Sequence, residues 1–169
     1  MQKSKPNLAY QRLFVDYGEI MPIISEQLER GLAVRLPIKG TSMLPLLREG
    51  RDTVILESPR VDPVGGDVVL YRRDNGSYVL HRIVALSGDR YTMCGDNQHR
   101  VERGIRRDQI IAVMTSYFKG EHEKHISSLP YRIYVAWRVV LRRAKNLLFR
   151  IKRRLFGKRA DGKKTGGSK

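Results

Sequence analysis

Ser42, His81 and Asp96 are the residues whose types and order point to chemistry. A serine hydroxyl is not nucleophilic at neutral pH until a base takes its proton. Histidine is the usual base, because a pKa near 6.5 leaves the imidazole largely neutral at pH 7. A carboxylate that orients the ring and stabilises its charged form completes a triad. Ser42 lies in Gly40-Thr41-Ser42-Met43-Leu44-Pro45, where small residues permit a tight turn that exposes the hydroxyl. His81 lies in Tyr78-Val79-Leu80-His81-Arg82-Ile83-Val84, whose alternation places Val79, His81 and Ile83 on one strand face and Leu80, Arg82 and Val84 on the other. Asp96, in Gly95-Asp96-Asn97 at the end of the next strand-like run, is the leading carboxylate, and Glu102 is the second candidate. Taken singly, a turn serine and a strand histidine are more often structural than catalytic. Their order along the chain is what raises them.

The elements expected to position these groups are mostly strands. Leu13, Tyr17, Ile20, Ile24 and Leu28 recur at helical spacing, and Pro22 and Gly31 suit the ends of a helix over about 22–30, with a shorter one before it. From Leu32 the period shortens. Segments 32–38, 53–57, 67–72, 78–86, 89–95 and 109–117 are short, apolar and separated by turn residues. Asn75-Gly76 and Ser87-Gly88-Asp89 predict hairpins. The pattern predicts a mainly β fold, a compact antiparallel barrel or folded sheet. Residues 119–130 read as a linker. A basic amphipathic helix is expected over 131–156, with Ile133, Trp137, Val140, Leu141, Ala144, Leu147, Leu148, Ile151 and Leu155 on one stripe. Residues 157–169 are rich in Gly, Lys and Ser and are expected to be disordered.

Composition narrows the function classes. The 169 residues fit one domain and carry a net charge of +16. Residues 131–169 hold 14 Lys and Arg against the single Asp161, so the body is nearly neutral and the cationic end suits an anionic surface. One cysteine, Cys94, excludes an internal disulfide framework and a multi-cysteine zinc site. His122 and His125 lack the companions of a metal motif, and neither a metal nor a cofactor is expected. No run reaches the ~18 apolar residues of a membrane span. No apolar stretch follows the basic N-terminus, so no secretory signal is expected.

The ordered boxes Gly40 to Pro45, Gly66-Asp67-Val68-Val69, His81-Arg82-Ile83-Val84 and Gly95-Asp96-Asn97 together resemble the S24/S26 serine peptidases, which include the type I signal peptidases. The resemblance covers about residues 32–117. It implies a signal-peptidase type of fold, with Ser42 as nucleophile in the SMxP box. The His81-Arg82 pair resembles the archaeal and endoplasmic-reticulum type, in which histidine replaces the more common lysine base. In that type acidic residues in and after the GDN box support the histidine, positions filled here by Asp96 and Glu102. The implied activity is endopeptidase cleavage of a leader or signal segment from a precursor, bound as an extended strand, through a Ser-His acyl-enzyme. Departures from the family pattern are Gly40 where a hydroxyl often contributes to the oxyanion hole and Gly50-Arg51-Asp52 for the usual Gly-Asp, and the family's spanning anchor is not expected here. Thr41 and the Ser42 N–H are the remaining local oxyanion donors.

A basic amphipathic helix with Trp137 near its start fits a membrane interface, and peripheral association with an anionic membrane surface is expected through it. The same stripe could instead pack on the body. Two rival functions stand beside the peptidase. One is a non-catalytic nucleic-acid-binding protein with a basic tail, disfavoured because the body is near neutral and lacks an aromatic stacking platform. The other is an inactive peptidase-like domain that only binds peptides.

Overall fold

The computed structural model describes residues 17–141. A helix over Tyr17–Glu29 (α1) precedes eight strands: Val34–Pro37 (β1), Asp52–Glu57 (β2), Val68–Arg72 (β3), Tyr78–Ser87 (β4), Arg90–Cys94 (β5), Glu102–Ile105 (β6), Ile110–Lys119 (β7) and His122–His125 (β8). A second helix (α2) occupies positions 129–141. The strands form one antiparallel sheet in the order β1-β2-β7-β3-β4-β5-β6, with β8 also paired to β7. The mainly β expectation with a helix at either side is met. The sheet is open, not a closed barrel, because β1 and β6 are its two ends.

Alternation explains the strand core. In β2, Asp52, Val54 and Leu56 are buried and the residues between them half-buried, as expected where one face packs inward. The continuous apolar run of β3 has a different cause: Val68, Val69, Leu70 and Tyr71 are all buried, so both faces of this strand are covered. On one face Val68, Leu70, Leu80, Ala112 and Met114 pack with Met21, Ile24 and Leu28 of α1 and with Met43, Leu46 and Leu47. On the other, Val69, Tyr71, Ile83, Met93 and Ile110 form a second cluster with Tyr91 and Ile105. Irregularities interrupt four of the pairings, at Ile55/Leu56, Leu70/Tyr71, Ile83/Ala85 and Tyr91/Thr92. Such bulges bend strands and increase their twist, which lets one sheet serve two clusters.

Two expectations need correction. The helix includes Tyr17 to Met21, so Pro22 lies inside it and not at its start. Burial of Met21, Ile24 and Leu28, each contributing about 1.5–3 kcal/mol, outweighs the local penalty of the proline. The segment 119–130 is no linker. Gly120, at a φ of 63°, turns the chain into β8, and Ser116 Oγ donates to Glu123 at 2.7 Å. All four residues of β8 are exposed, so its His-Glu-Lys-His sequence carries no apolar alternation to announce it. Strand β6 was likewise silent, since only Ile105 of its four residues is buried. Leu13, the helical continuation over 142–156 and the tail 157–169 lie outside the described residues.

Candidate active site

Position 95 shows where the turn that carries Ser42 rests on the sheet. Cys94 pairs with Arg82 and Met93 with Ile83. Alternation therefore puts Gly95 on the face of Met93, Ile83 and His81. A Cβ built on Gly95 would lie 2.6 Å from the Ser42 carbonyl oxygen and 3.0 Å from Ser42 Cβ. Ser42 thus occupies the space a side chain at 95 would need, on the His81 face of the sheet.

The backbone around Ser42 is fixed from the GDN turn. Asn97 N–H donates to Ser42 O at 2.7 Å, and Asn97 Nδ2 donates to Thr41 O at 3.3 Å. Leu44 N–H closes the turn on Thr41 O at 3.2 Å. Gly40 adopts a φ of 76°, in the left-handed region that favours glycine, and so starts the turn. Cys94 Sγ donates to Gln98 O and Arg100 O at 3.4 and 3.2 Å, which shapes the GDN turn from behind. Among the described residues, the Ser42 hydroxyl, its N–H and the Thr41 hydroxyl make no hydrogen bond. These are the groups that attack on a carbonyl and capture of its oxyanion would employ.

His81 is 2% exposed and surrounded by polar groups on its Nδ1 side. The Tyr71 hydroxyl lies 3.3 Å from Nδ1 and Glu102 Oε1 lies 3.5 Å from it. Glu102 is itself held by Arg73, whose Nε donates to Oε2 at 2.7 Å and whose second nitrogen contacts Oε1. Burial pushes the His81 pKa down to about 4, against the upward pull of Glu102. Burial raises the Glu102 carboxyl, but the Arg73 guanidinium and Tyr71 hydroxyl outweigh it and hold the group below its ordinary range. Burial, then the Glu102 charge, drives the Tyr71 phenol up, so it remains a protonated donor. In the tautomer that carries its proton on Nδ1, toward the Glu102 carboxylate, Nε2 is left as the acceptor.

Asp96 does not make the contact with His81 expected of it. Its carboxylate receives Arg82 Nε at 2.8 Å and Arg82 Nη2 at 2.7 Å, with both side chains 3% exposed, and Tyr134 of α2 donates to it at 2.9 Å. Strand parity is the reason. Position 96 follows 94 onto the Arg82 face, whereas Glu102 pairs with Met93 and so shares the His81 face. Arg82 also donates to Gly66 O at 2.6 Å and to the Tyr131 hydroxyl at 3.1 Å. Burial works against the Arg82 charge, but Asp96 outweighs it and pushes the pKa up. The pair bolts α2 to the turn that holds Ser42. Tyr71, Arg73, Asn97, Tyr131 and Tyr134 were not singled out by sequence. The only signal any of them gave was Asn97 inside the GDN box.

Beside Ser42 a cavity of about 230 Å³ is lined by Tyr17, Ile38, Lys39, Met43 and residues 78–80 of β4. Among the described residues, no three His, Cys, Asp or Glu side chains converge as a metal site would require. His122 and His125 both lie exposed on β8. No helix among the described residues is long and apolar enough to cross a membrane. On α2, Tyr131 is buried and Tyr134 and Val135 pack on the body, while Ile133, Trp137 and Val140 are 59%, 51% and 62% exposed. Of the described part of the expected apolar stripe, Ile133, Trp137 and Val140 are therefore exposed, while Leu141 is half-buried. No protein-family model and no curated protein matches the chain.

Proposed function

We propose that this chain is a serine endopeptidase of the S24/S26 kind, resembling the type I signal peptidases, that removes a leader or signal segment from a precursor at an anionic membrane surface. The observation that carries the reading is the seating of Ser42 against Gly95, on the sheet face that presents His81.

In the reaction, Ser42 Oγ attacks the scissile carbonyl carbon as His81 Nε2 takes the hydroxyl proton. The oxyanion so formed is received by the Ser42 N–H, with the Thr41 hydroxyl as a second donor. Collapse breaks the C–N bond, and His81 returns its proton to the leaving amine. Water, deprotonated by the same imidazole, then releases the acyl group from Ser42. Glu102 keeps the imidazole in the reactive tautomer and stabilises its charged form, while Arg73 holds Glu102 in place. Asp96 takes a positioning role: together with Arg82 and Asn97 it sets the turn against which Ser42 rests. At the membrane, each Lys or Arg near an anionic leaflet contributes about 1 kcal/mol, and the outward stripe Ile133, Trp137 and Val140 supplies apolar contact.

The test is cleavage of a precursor carrying a leader with small residues before the cut. Ser42→Ala and His81→Ala each abolish cleavage with the thermal transition retained. Full activity in the Ser42→Ala protein would end the catalytic reading.

A further inference from the structure

The cavity beside Ser42 has a strand edge on each side, and one edge is already occupied. On the β1 side, Ile38 N–H donates to Asp52 O at 3.1 Å, so alternation turns Pro37 C=O and Lys39 N–H away from the sheet. On the β4 side, Ile83 accepts from Gly66 N–H at 2.9 Å and donates to Asp67 O at 2.8 Å. The backbone groups of Leu80 and Tyr78 therefore point away from β3. β5 pairs with β4 only from Arg82 onward, so among the described residues no strand neighbours that outer edge. Both edges line the same cavity.

The Tyr17 hydroxyl fills the β1 edge. It donates to Pro37 O at 2.8 Å and accepts from Lys39 N–H at 3.2 Å. One oxygen thereby satisfies the two backbone groups that a residue of an added strand would satisfy. Burial pushes this phenol up to about 12, so the donor persists through the neutral range. Tyr17 is only partly buried, and α1 is anchored further along by Met21, Ile24 and Leu28. Rotation of one side chain frees the edge without undocking the helix.

We propose that the Tyr17 hydroxyl is a removable cap on the peptide-binding edge: an extended peptide entering the groove displaces it from Pro37 and Lys39 and takes over both hydrogen bonds. The N-terminal helix thereby restrains substrate entry. The proposal rests on the reading of the groove as the peptide site of a serine peptidase.

The test compares the full chain carrying Ser42→Ala with the same chain carrying Ser42→Ala and Tyr17→Phe. Phenylalanine keeps the ring packed and removes only the hydroxyl. The probe is a fluorescein-labelled peptide with an alanine run, followed by anisotropy and by amide hydrogen exchange at Lys39. Expected are a dissociation constant lowered roughly two- to tenfold by Tyr17→Phe, the range of a net hydrogen bond, faster Lys39 exchange in the free variant, and equal protection in both proteins with peptide bound. Unchanged or weaker binding, unchanged Lys39 exchange, or no peptide-dependent protection of Lys39 overturns the cap. Peptide binding that shows all the expected effects, with no cleavage by the Ser42 protein, would sustain the cap and refute the peptidase. Cleavage at Ser42 without any change at Lys39 would do the reverse.

Discussion

Gly95→Ala isolates the contact on which the serine's position depends. The added Cβ would sit 2.6 Å from the Ser42 carbonyl oxygen, a backbone atom already tied to Asn97 N–H at 2.7 Å. Neither side can yield by a simple rotamer change. Overpacking of this kind costs about 1–3 kcal/mol, and loss of the Asn97 bond adds about 1 kcal/mol. In a chain of this size the sum lowers Tm by roughly 4–16 °C. The effect on turnover is larger than on stability, because displacing a nucleophile by about 1 Å costs roughly 100-fold in rate. The assay pairs thermal denaturation with kcat on a leader peptide, at a temperature where the variant is fully folded. Gly120→Ala is the control. It forces an alanine into the left-handed turn between β7 and β8, where a Cβ meets nothing within 4 Å, so it lowers Tm and spares kcat. Equal kcat in Gly95→Ala and the parent protein would refute the placement of Ser42 over position 95.

The two carboxylates separate by their failures. Asp96→Ala strands a buried Arg82 charge and costs about 3–5 kcal/mol, read as a large fall in Tm, whereas Glu102→Gln keeps most of the stability and lowers kcat about 100-fold or more. The pH response follows from His81. Its folded pKa of about 4 lies below the unfolded value of about 6.5, so its stabilising contribution is complete above 6.5 and is lost as pH falls toward 4. That contribution is roughly 3 kcal/mol, and the acid loss of unfolding free energy is smaller by that amount in His81→Gln. On α2, Ile133→Glu with Trp137→Glu leaves Tm unchanged, because both side chains are exposed, and lowers sedimentation with vesicles containing phosphatidylserine. Vesicle binding equal to the parent's would remove this stripe from the membrane contact.

The sequence was most informative where period and turn chemistry agree. Alternation in β4 correctly separated His81 from Arg82, and the Asn75-Gly76 turn joins β3 to β4 as expected. It was least informative where placement depends on pairing register. Whether Asp96 or Glu102 meets His81 is decided by Cys94 lying opposite Arg82 and Met93 lying opposite Glu102, facts that no local pattern encodes. Strand β8 was missed because an exposed, wholly polar edge needs no apolar side chains. The role of Gly95 was hidden for a related reason. Beside Asp96-Asn97 it reads as a turn glycine, yet its φ is ordinary and it is required by the close approach of Ser42. The outward direction of Ile133 and Trp137 could not be taken from the helical wheel, since the buried side is set by Tyr131 and Tyr134 reaching Arg82 and Asp96.

The central claim is that His81 activates Ser42, and covalent labelling reaches it without knowledge of the natural substrate. The full chain is incubated with a fluorophosphonate at pH 7 and the modified peptide located by mass spectrometry. The account predicts a single adduct on Ser42, formed at a rate that collapses in His81→Ala. An unmodified Ser42, or labelling that proceeds equally without His81, would contradict it.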